Sequence, residues 1–103
     1  MTDLGELMRK AQEMRVRFQQ LQEELGGKVV EGSAGGGMVV AAANGRQELV
    51  SVRIEKEVVS PDDVGMLQDL IRAAVNDALA RSKEMAAAEM AKVTGGILPP
   101  GIL

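Results

Sequence analysis

The sequence predicts an α+β fold in the order helix, three antiparallel strands, helix, within one domain that spans residues 1–103. Apolar residues recur at helical spacing in residues 4–25 and 61–94, whereas residues 28–54 hold short Val-rich runs separated by turn residues. Each helical segment is too long to be covered by so small a sheet. We therefore expect an α-β-β-β-α chain in which two long helices protrude from a three-stranded antiparallel sheet.

The first helix is predicted from an apolar seam whose members are alternately three and four residues apart. Gly26 and Gly27 follow at a position where helices commonly end. A helix over residues 4–25 would be about 33 Å long and would pair with another helix through this narrow stripe. The seam consists of Leu4, Leu7, Ala11, Met14, Phe18, Leu21 and Leu25.

The candidate strands all lie in residues 28–54, and we expect them near 28–32, 38–43 and 47–54. Between the last two stands Asn44-Gly45, the strongest short-range signal for a hairpin, because a type I′ turn needs positive φ at both central residues. Such a two-residue turn would place Val39 opposite Val50. Three short strands need a covering helix or a second sheet to be stable.

The glycine run at residues 35–37 could suggest a phosphate-binding loop, but its context does not fit one. No Lys-Ser or Lys-Thr pair follows it, and it leads into a strand rather than into the first turn of a helix. We interpret it as a turn.

The second helix is predicted to begin with Ser60 as its N-cap and Pro61 at its first position, with Asp63 completing a capping box. Its first half has a broad apolar face that suits burial against a sheet. From Ala80 onward the composition changes to Ala, Met and charged residues, so this half should project and pair with the first helix. We expect the helix to end at Thr94 and to be about 50 Å long.

The tail at residues 95–103 is rich in Gly and Pro and cannot continue the helix. Two interpretations stay open. The tail is either disordered, or it is an extended segment that lays its Ile and Leu side chains on a partner.

Composition argues against several functional classes. The chain has no Cys and no His, which removes thiolate metal sites and the commonest catalytic base, and no acids are paired at a spacing typical of a catalytic cleft. We expect no enzyme activity, no cofactor or metal, and no small-molecule substrate. There is no signal-peptide pattern and no apolar run of the ~20 residues that would span a bilayer. The expectation is a cytoplasmic protein without a membrane partner.

Charge is segregated along the chain, so the net value of −3, from 12 basic and 15 acidic residues, is a poor guide to partners. Four basic residues fall between positions 8 and 18, where Glu13 is the only acid. Solvated flanks of a coiled coil would explain them, as would an anion-binding surface. The four are Arg9, Lys10, Arg15 and Arg17.

Four motifs in this order resemble the YbaB/EbfC family of bacterial nucleoid-associated proteins, and together they extend over nearly the whole chain. No single motif is specific, but their order is. They are LMRKAQEM at 7–14, GGGMV at 35–39 with Asn44-Gly45, LQDLIRAAVNDA at 67–78, and TGG at 94–96 with LPPG at 98–101.

The resemblance implies a tweezer-like homodimer that binds double-stranded DNA in the nucleoid through its protruding helices. Because Lys and Arg neutralise phosphate charge without reading the bases, we expect weak or no sequence specificity. Carried over by position, the DNA-binding candidates are Arg9, Lys10, Arg15 and Arg17 on the first helix and Arg81 and Lys83 on the second, with Lys92 a weaker one.

Dimerisation also follows from physical reasoning, since a small sheet and long apolar stripes leave exposed surface that a monomer rarely tolerates, and C2 pairing is the commonest solution. Two other functions stay open. In one, the helical arms of a structural or adaptor dimer bind another protein. In the other, the chain is a coiled-coil oligomeriser without a ligand.

Overall fold

The computed structural model describes residues 3–94 and confirms the predicted α-β-β-β-α fold. A single 3-10 turn at Lys56–Val58 joins the sheet to the last helix. The predicted tail at 95–103 lies outside the described residues. The elements are α1 (Leu4–Gly27), β1 (Val29–Ala34), β2 (Val39–Asn44), β3 (Leu49–Ile54) and α2 (Val64–Thr94).

The core lies between α2 and one face of the antiparallel sheet, whose strand order is β1-β2-β3. The broad apolar face predicted for the first half of α2 packs here, except for Val64 at its start, which is 50% exposed. Small side chains bring the two layers very close: a Cβ added at Gly32 would lie 2.1 Å from the backbone nitrogen of Ala78. The buried members are Val39, Ala41, Ala43, Val58, Ala74 and Ala78.

The predicted type I′ turn at Asn44-Gly45 is wrong. Gln47 N donates to Asn44 O at 3.0 Å and Asn44 N donates to Glu48 O at 3.0 Å, which makes a three-residue loop. Gln47 occupies the left-handed position, with φ of 60°, and Gly45 has no positive φ. This is a type I turn followed by a left-handed residue, the commonest three-residue hairpin.

Two contacts explain why this loop forms instead. The Asn44 side-chain oxygen accepts hydrogen bonds from the backbone nitrogens of Arg46 and Glu48, at 2.9 and 3.2 Å, and this favours a longer turn. Gly45 is required by close packing rather than by its φ, because a Cβ there would lie 2.7 Å from Leu25 Cδ2.

The strand register predicted from the shorter turn is wrong as well. Val39 lies opposite Ile54 rather than Val50, and a bulge between Ala42 and Ala43 adds a further shift. The longer loop and the bulge together account for the change.

The start of α2 and the end of α1 differ from the predicted boundaries. α2 begins at Val64 rather than at Pro61, because the Asp63 carboxylate is the group that accepts from Met66 N, at 3.1 Å, and so caps the first turn. Ser60 instead forms a local turn in which its hydroxyl oxygen accepts from Asp62 N at 3.3 Å. α1 continues through Gly27, two residues beyond its predicted end.

The molecule is elongated, with extents of 72 × 23 × 16 Å, because much of α1 projects from the body. Of the α1 seam, Leu21 and Leu25 are buried. The two helices are in contact, and Leu21 borders the same groove as Val93, so the predicted pairing of α1 with the second half of α2 is confirmed for the last turns of α1. Toward the other end of the helix, Leu4 is 68% and Leu7 53% exposed. We call residues 4–17 of α1 the arm.

Candidate nucleic-acid interface

The arm holds the four basic residues singled out on the first helix, and all four are exposed. Its first turn is closed by Asp3, whose carboxylate accepts from Gly5 N at 3.0 Å. The acidic cap also suits the positive end of the helix dipole. The arm is thus a regular helix that presents its cations to solvent.

Two of these cations line one shallow groove. Arg9 and Arg17 border an open groove of about 460 Å³ together with Gln12, Glu13, Val16 and Gln20. Arg17 also borders a neighbouring groove of about 280 Å³ with Lys10, Glu13 and Met14. Arg15 lines neither groove, because it is two residues from Arg17 and therefore points about 200° away from it around the helix axis. The arm therefore presents cations on opposite sides.

Most of the arm's cations are available to an external anion. Within residues 3–94, Arg9, Arg15 and Arg17 take part in no ion pair. Lys10 Nζ lies 3.6 Å from Glu6 Oε1, but both side chains are more than half exposed. Such exposed pairs contribute little and are readily exchanged for another anion.

The two candidates on α2 lie apart from the arm. Arg81 Nε is 3.2 Å from an Asp77 carboxylate oxygen that also accepts from Ser33 N at 3.1 Å, so Arg81 is tied to the contact between β1 and α2. Lys83 is exposed, and the described residues give it no ion pair. Arg81 is about 18 Å along α2 from Val93, where α1 packs. The structure does not bring Arg81 or Lys83 together with Arg9 or Arg17.

Lys92, the weaker candidate, is already engaged in the protein. Its Nζ lies 3.2 Å from Glu89 Oε1, which also lies 3.1 Å from Lys28 Nζ. Hydrogen bonds from Lys28 and then Lys92 hold the pKa of Glu89 below its ordinary value. The three-residue spacing of Glu89 and Lys92 could have indicated this pair from the sequence.

Arg46 is a functional candidate that the sequence reasoning missed. Its Nε donates to the carbonyl oxygen of Gln22 in α1, at 2.8 Å. The two residues are 24 positions apart, and no local pattern in the sequence signals such a contact.

Among residues 3–94, no helix combines the length and apolar character needed to cross a membrane. In the same part of the chain, no cluster of three or more acidic side chains could hold a metal ion.

Comparison with known proteins places this geometry in a family. The sequence model of the YbaB/EbfC DNA-binding family matches residues 1–97. A nucleoid-associated protein of Moorella thermoacetica is 54% identical over 101 residues, which are 98% of this chain and 97% of that protein. One of Caldanaerobacter subterraneus subsp. tengcongensis is 53% identical over 100 residues, 97% of this chain and 90% of that protein.

A solved structure agrees with these sequence matches. The crystal structure of an uncharacterized protein from Helicobacter pylori superposes with a TM-score of 0.72 at 28% identity, covering 82% of this chain and 88% of that one. The α-β-β-β-α fold with its projecting first helix, the sequence match along nearly the whole chain and the named relatives agree: the chain belongs to the YbaB/EbfC DNA-binding family.

Proposed function

We propose that this protein binds double-stranded DNA in the cytoplasmic nucleoid, as a homodimer, through the basic residues of its arms and with weak or no sequence specificity. The observation that carries the proposal is the set of exposed arginines, Arg9, Arg15 and Arg17, which have no ion pair among the described residues. The relatives named as nucleoid-associated proteins support it. Because the family is defined by DNA binding, we propose binding rather than catalysis as the activity.

Phosphates are the DNA groups that such a surface suits best. Arg and Lys neutralise backbone charge and release counterions, which gives affinity without sequence information. Two copies of Arg9, Lys10, Arg15 and Arg17 would make roughly eight phosphate contacts, so log K should fall against log salt with a slope of about −7. Arg81 and Lys83 would add smaller contributions because they lie closer to the body.

The homodimer would form through apolar surface around β3, an edge strand with unpaired backbone groups. Six apolar side chains in β3 and in the segment that follows it are between 37% and 57% exposed, which is more than an isolated small domain usually leaves uncovered. A second copy related by a two-fold axis would cover this patch and provide the second arm. The six are Leu49, Val50, Val52, Val59, Val64 and Met66.

The test is a titration of duplex DNA at several salt concentrations with an Arg15→Glu/Arg17→Glu variant. The matched control is Lys56→Glu/Arg72→Glu, which makes the same charge change on exposed residues of the body. We expect the arm variant to stay dimeric by sedimentation and to lose most of its binding, while the control keeps most of it. Full binding by the arm variant, or affinity that does not depend on salt, would contradict the proposal.

A second candidate is an adaptor dimer whose arms bind another protein. It is favoured by Leu4, Leu7 and Met8, which are more than half exposed near the tip of the arm. Nuclease-treated protein that fails to shift duplex DNA at moderate salt would favour the adaptor, whereas a shift would favour DNA binding.

A further inference from the structure

We propose that Arg46 is a positioning residue: it sets the direction of the α1 arm, and through it the affinity for DNA, without contacting DNA itself. The inference rests on the DNA-binding function proposed above. It assigns a role to the β2–β3 loop, whose residues contact the last turns of α1, on the body side of the arm.

The first observation is the contact between Arg46 and the end of α1. Arg46 Nε donates to Gln22 O at 2.8 Å, and the guanidinium lies so close to Gly26 that a Cβ there would be 2.9 Å from Cζ. The last carbonyls of a helix have no intrahelical donor and carry a partial negative charge. The last turn of α1 contains no basic residue of its own. Gln22 lies just before those last carbonyls, so Arg46 adds a second donor to its oxygen and brings a positive charge from another element to the negative end of the helix.

The second observation is that the same loop fixes the last turn of α1 through its backbone. Gly45 N donates to Leu25 O at 2.8 Å and to Lys28 O at 3.0 Å. Leu25 is 2% exposed and packs against Gly45. The loop therefore contacts the end of α1 at Gln22, at Leu25 and at Lys28, which is enough to define the direction of the helix.

The third observation is the length of α1 beyond its contact with Arg46. From Gln22 to Leu4, α1 extends about 27 Å, so a tilt of 10° at its base would move the tip by about 5 Å. That displacement is comparable to the spacing of neighbouring phosphates on one DNA strand, which is about 3.4 Å measured along the duplex axis and more measured along the backbone. A small change at Arg46 should therefore misplace cations that lie far from it.

The experiment compares Arg46→Met with Arg72→Met, the same substitution at an exposed arginine on α2. The chain has no cysteine, so spin labels can be placed at Gln12→Cys and Gln68→Cys in one copy diluted with unlabelled protein. We expect Arg46→Met to broaden the distribution of distances between the two labels. We also expect it to weaken DNA binding about tenfold, the effect of losing one charge-assisted hydrogen bond. Arg72→Met should leave the label distance unchanged.

A second pair of variants moves the Arg46 guanidinium without changing any charge. A Cβ in Gly26→Ala would displace that guanidinium, whereas Gly27→Ala meets nothing within 4 Å. We expect Gly26→Ala to broaden the label distance and weaken DNA binding, and Gly27→Ala to do neither. This pair also decides the matter if Arg46→Met does not fold.

Three results would overturn the inference. One is a distribution of label distances that stays as narrow as in the wild type in both Arg46→Met and Gly26→Ala. Another is a broadened distance with unchanged DNA affinity. The third is a salt slope that falls by about 0.9 per copy in Arg46→Met with the arm in place, which would make Arg46 a phosphate contact. If the wild-type protein bound no duplex, the proposed function would fail, but the label distances would still show whether Arg46 orients α1.

Discussion

Lys28 Nζ lies 3.1 Å from Glu89 Oε1, and this pair joins the start of the sheet to the second half of α2. The Glu89 side chain is only 18% exposed, and Lys92 Nζ approaches the same oxygen to 3.2 Å. The carboxylate is thus held between two cations where α1 leaves the body. Because hydrogen bonds from Lys28 and Lys92 favour its charged form, the pKa of Glu89 is lowered on folding.

We predict that Glu89→Gln lowers the melting temperature at pH 7 and that the difference from the wild type disappears in acid. A group whose pKa is depressed by folding stabilises the protein above its unfolded pKa, and this stabilisation is lost as pH falls through the folded pKa. The loss should therefore begin below about pH 4.3, the ordinary pKa of a glutamate. Thermal melts across pH 7 to 3 measure it. Glu84→Gln, which removes an exposed acid of the same helix, should show no such convergence.

Gly32→Ala should destabilise the protein by about 1–3 kcal/mol, the usual cost of overpacking. Its Cβ would lie 2.1 Å from Ala78 N, a backbone atom that only a shift of α2 can move away. Gly65→Ala is the matched control, because nothing lies within 4 Å of its Cβ and alanine favours a helix by up to about 1 kcal/mol. Urea denaturation of both variants should give changes of opposite sign. A neutral Gly32→Ala would contradict the close contact between β1 and α2.

Gln47→Gly should stabilise the hairpin by about 1 kcal/mol, because Gln47 holds a φ of 60° that costs an ordinary residue more than it costs glycine. The same substitution at Gln68, an exposed position inside α2, should instead cost about 1 kcal/mol. The melting temperatures of the two variants check both signs. Destabilisation by Gln47→Gly would count against the loop geometry described above.

Arg81 and Lys83 should respond differently to substitution, although both were predicted to bind DNA from the same family resemblance. Arg81→Ala removes the ion pair with Asp77, which is exposed and so contributes less than about 1 kcal/mol. Lys83→Ala removes no ion pair seen in residues 3–94 and should leave stability unchanged. In DNA titrations we expect both to weaken binding less than Arg17→Ala does. Equal losses of DNA affinity in all three variants would mean that α2 contributes as much to DNA binding as the arm does.

The order of helices and strands could be predicted because the spacing of apolar residues in each segment matches the face that the element buries. The broad apolar face of α2 includes Ala74 and Ala78, and these residues are buried where the spacing placed them. The ends of elements were harder to predict because several polar groups compete for the same backbone donors. Asp63 takes the capping position in place of Ser60, and the Asn44 side chain favours a longer turn.

The candidate site divides in the same way. Exposure of Arg9 and Arg17 follows from their places outside the apolar seam, so the sequence was sufficient to predict it. The pairing of Arg81 with Asp77 has a local signal in its four-residue spacing, which the sequence reasoning did not use. The contact of Arg46 with Gln22 depends on how the hairpin packs against α1, and only the folded chain shows it.

The close approach of Gly32 to the backbone of Ala78 bears on how such a protein can change over time. Positions packed this tightly accept few other residues, so the platform formed by the sheet and α2 is constrained. Exposed positions on the arm carry no such constraint, and most surface substitutions there change stability by less than about 0.5 kcal/mol. The charge and shape of the arm can therefore diverge between descendants of one ancestor while the platform beneath it stays the same.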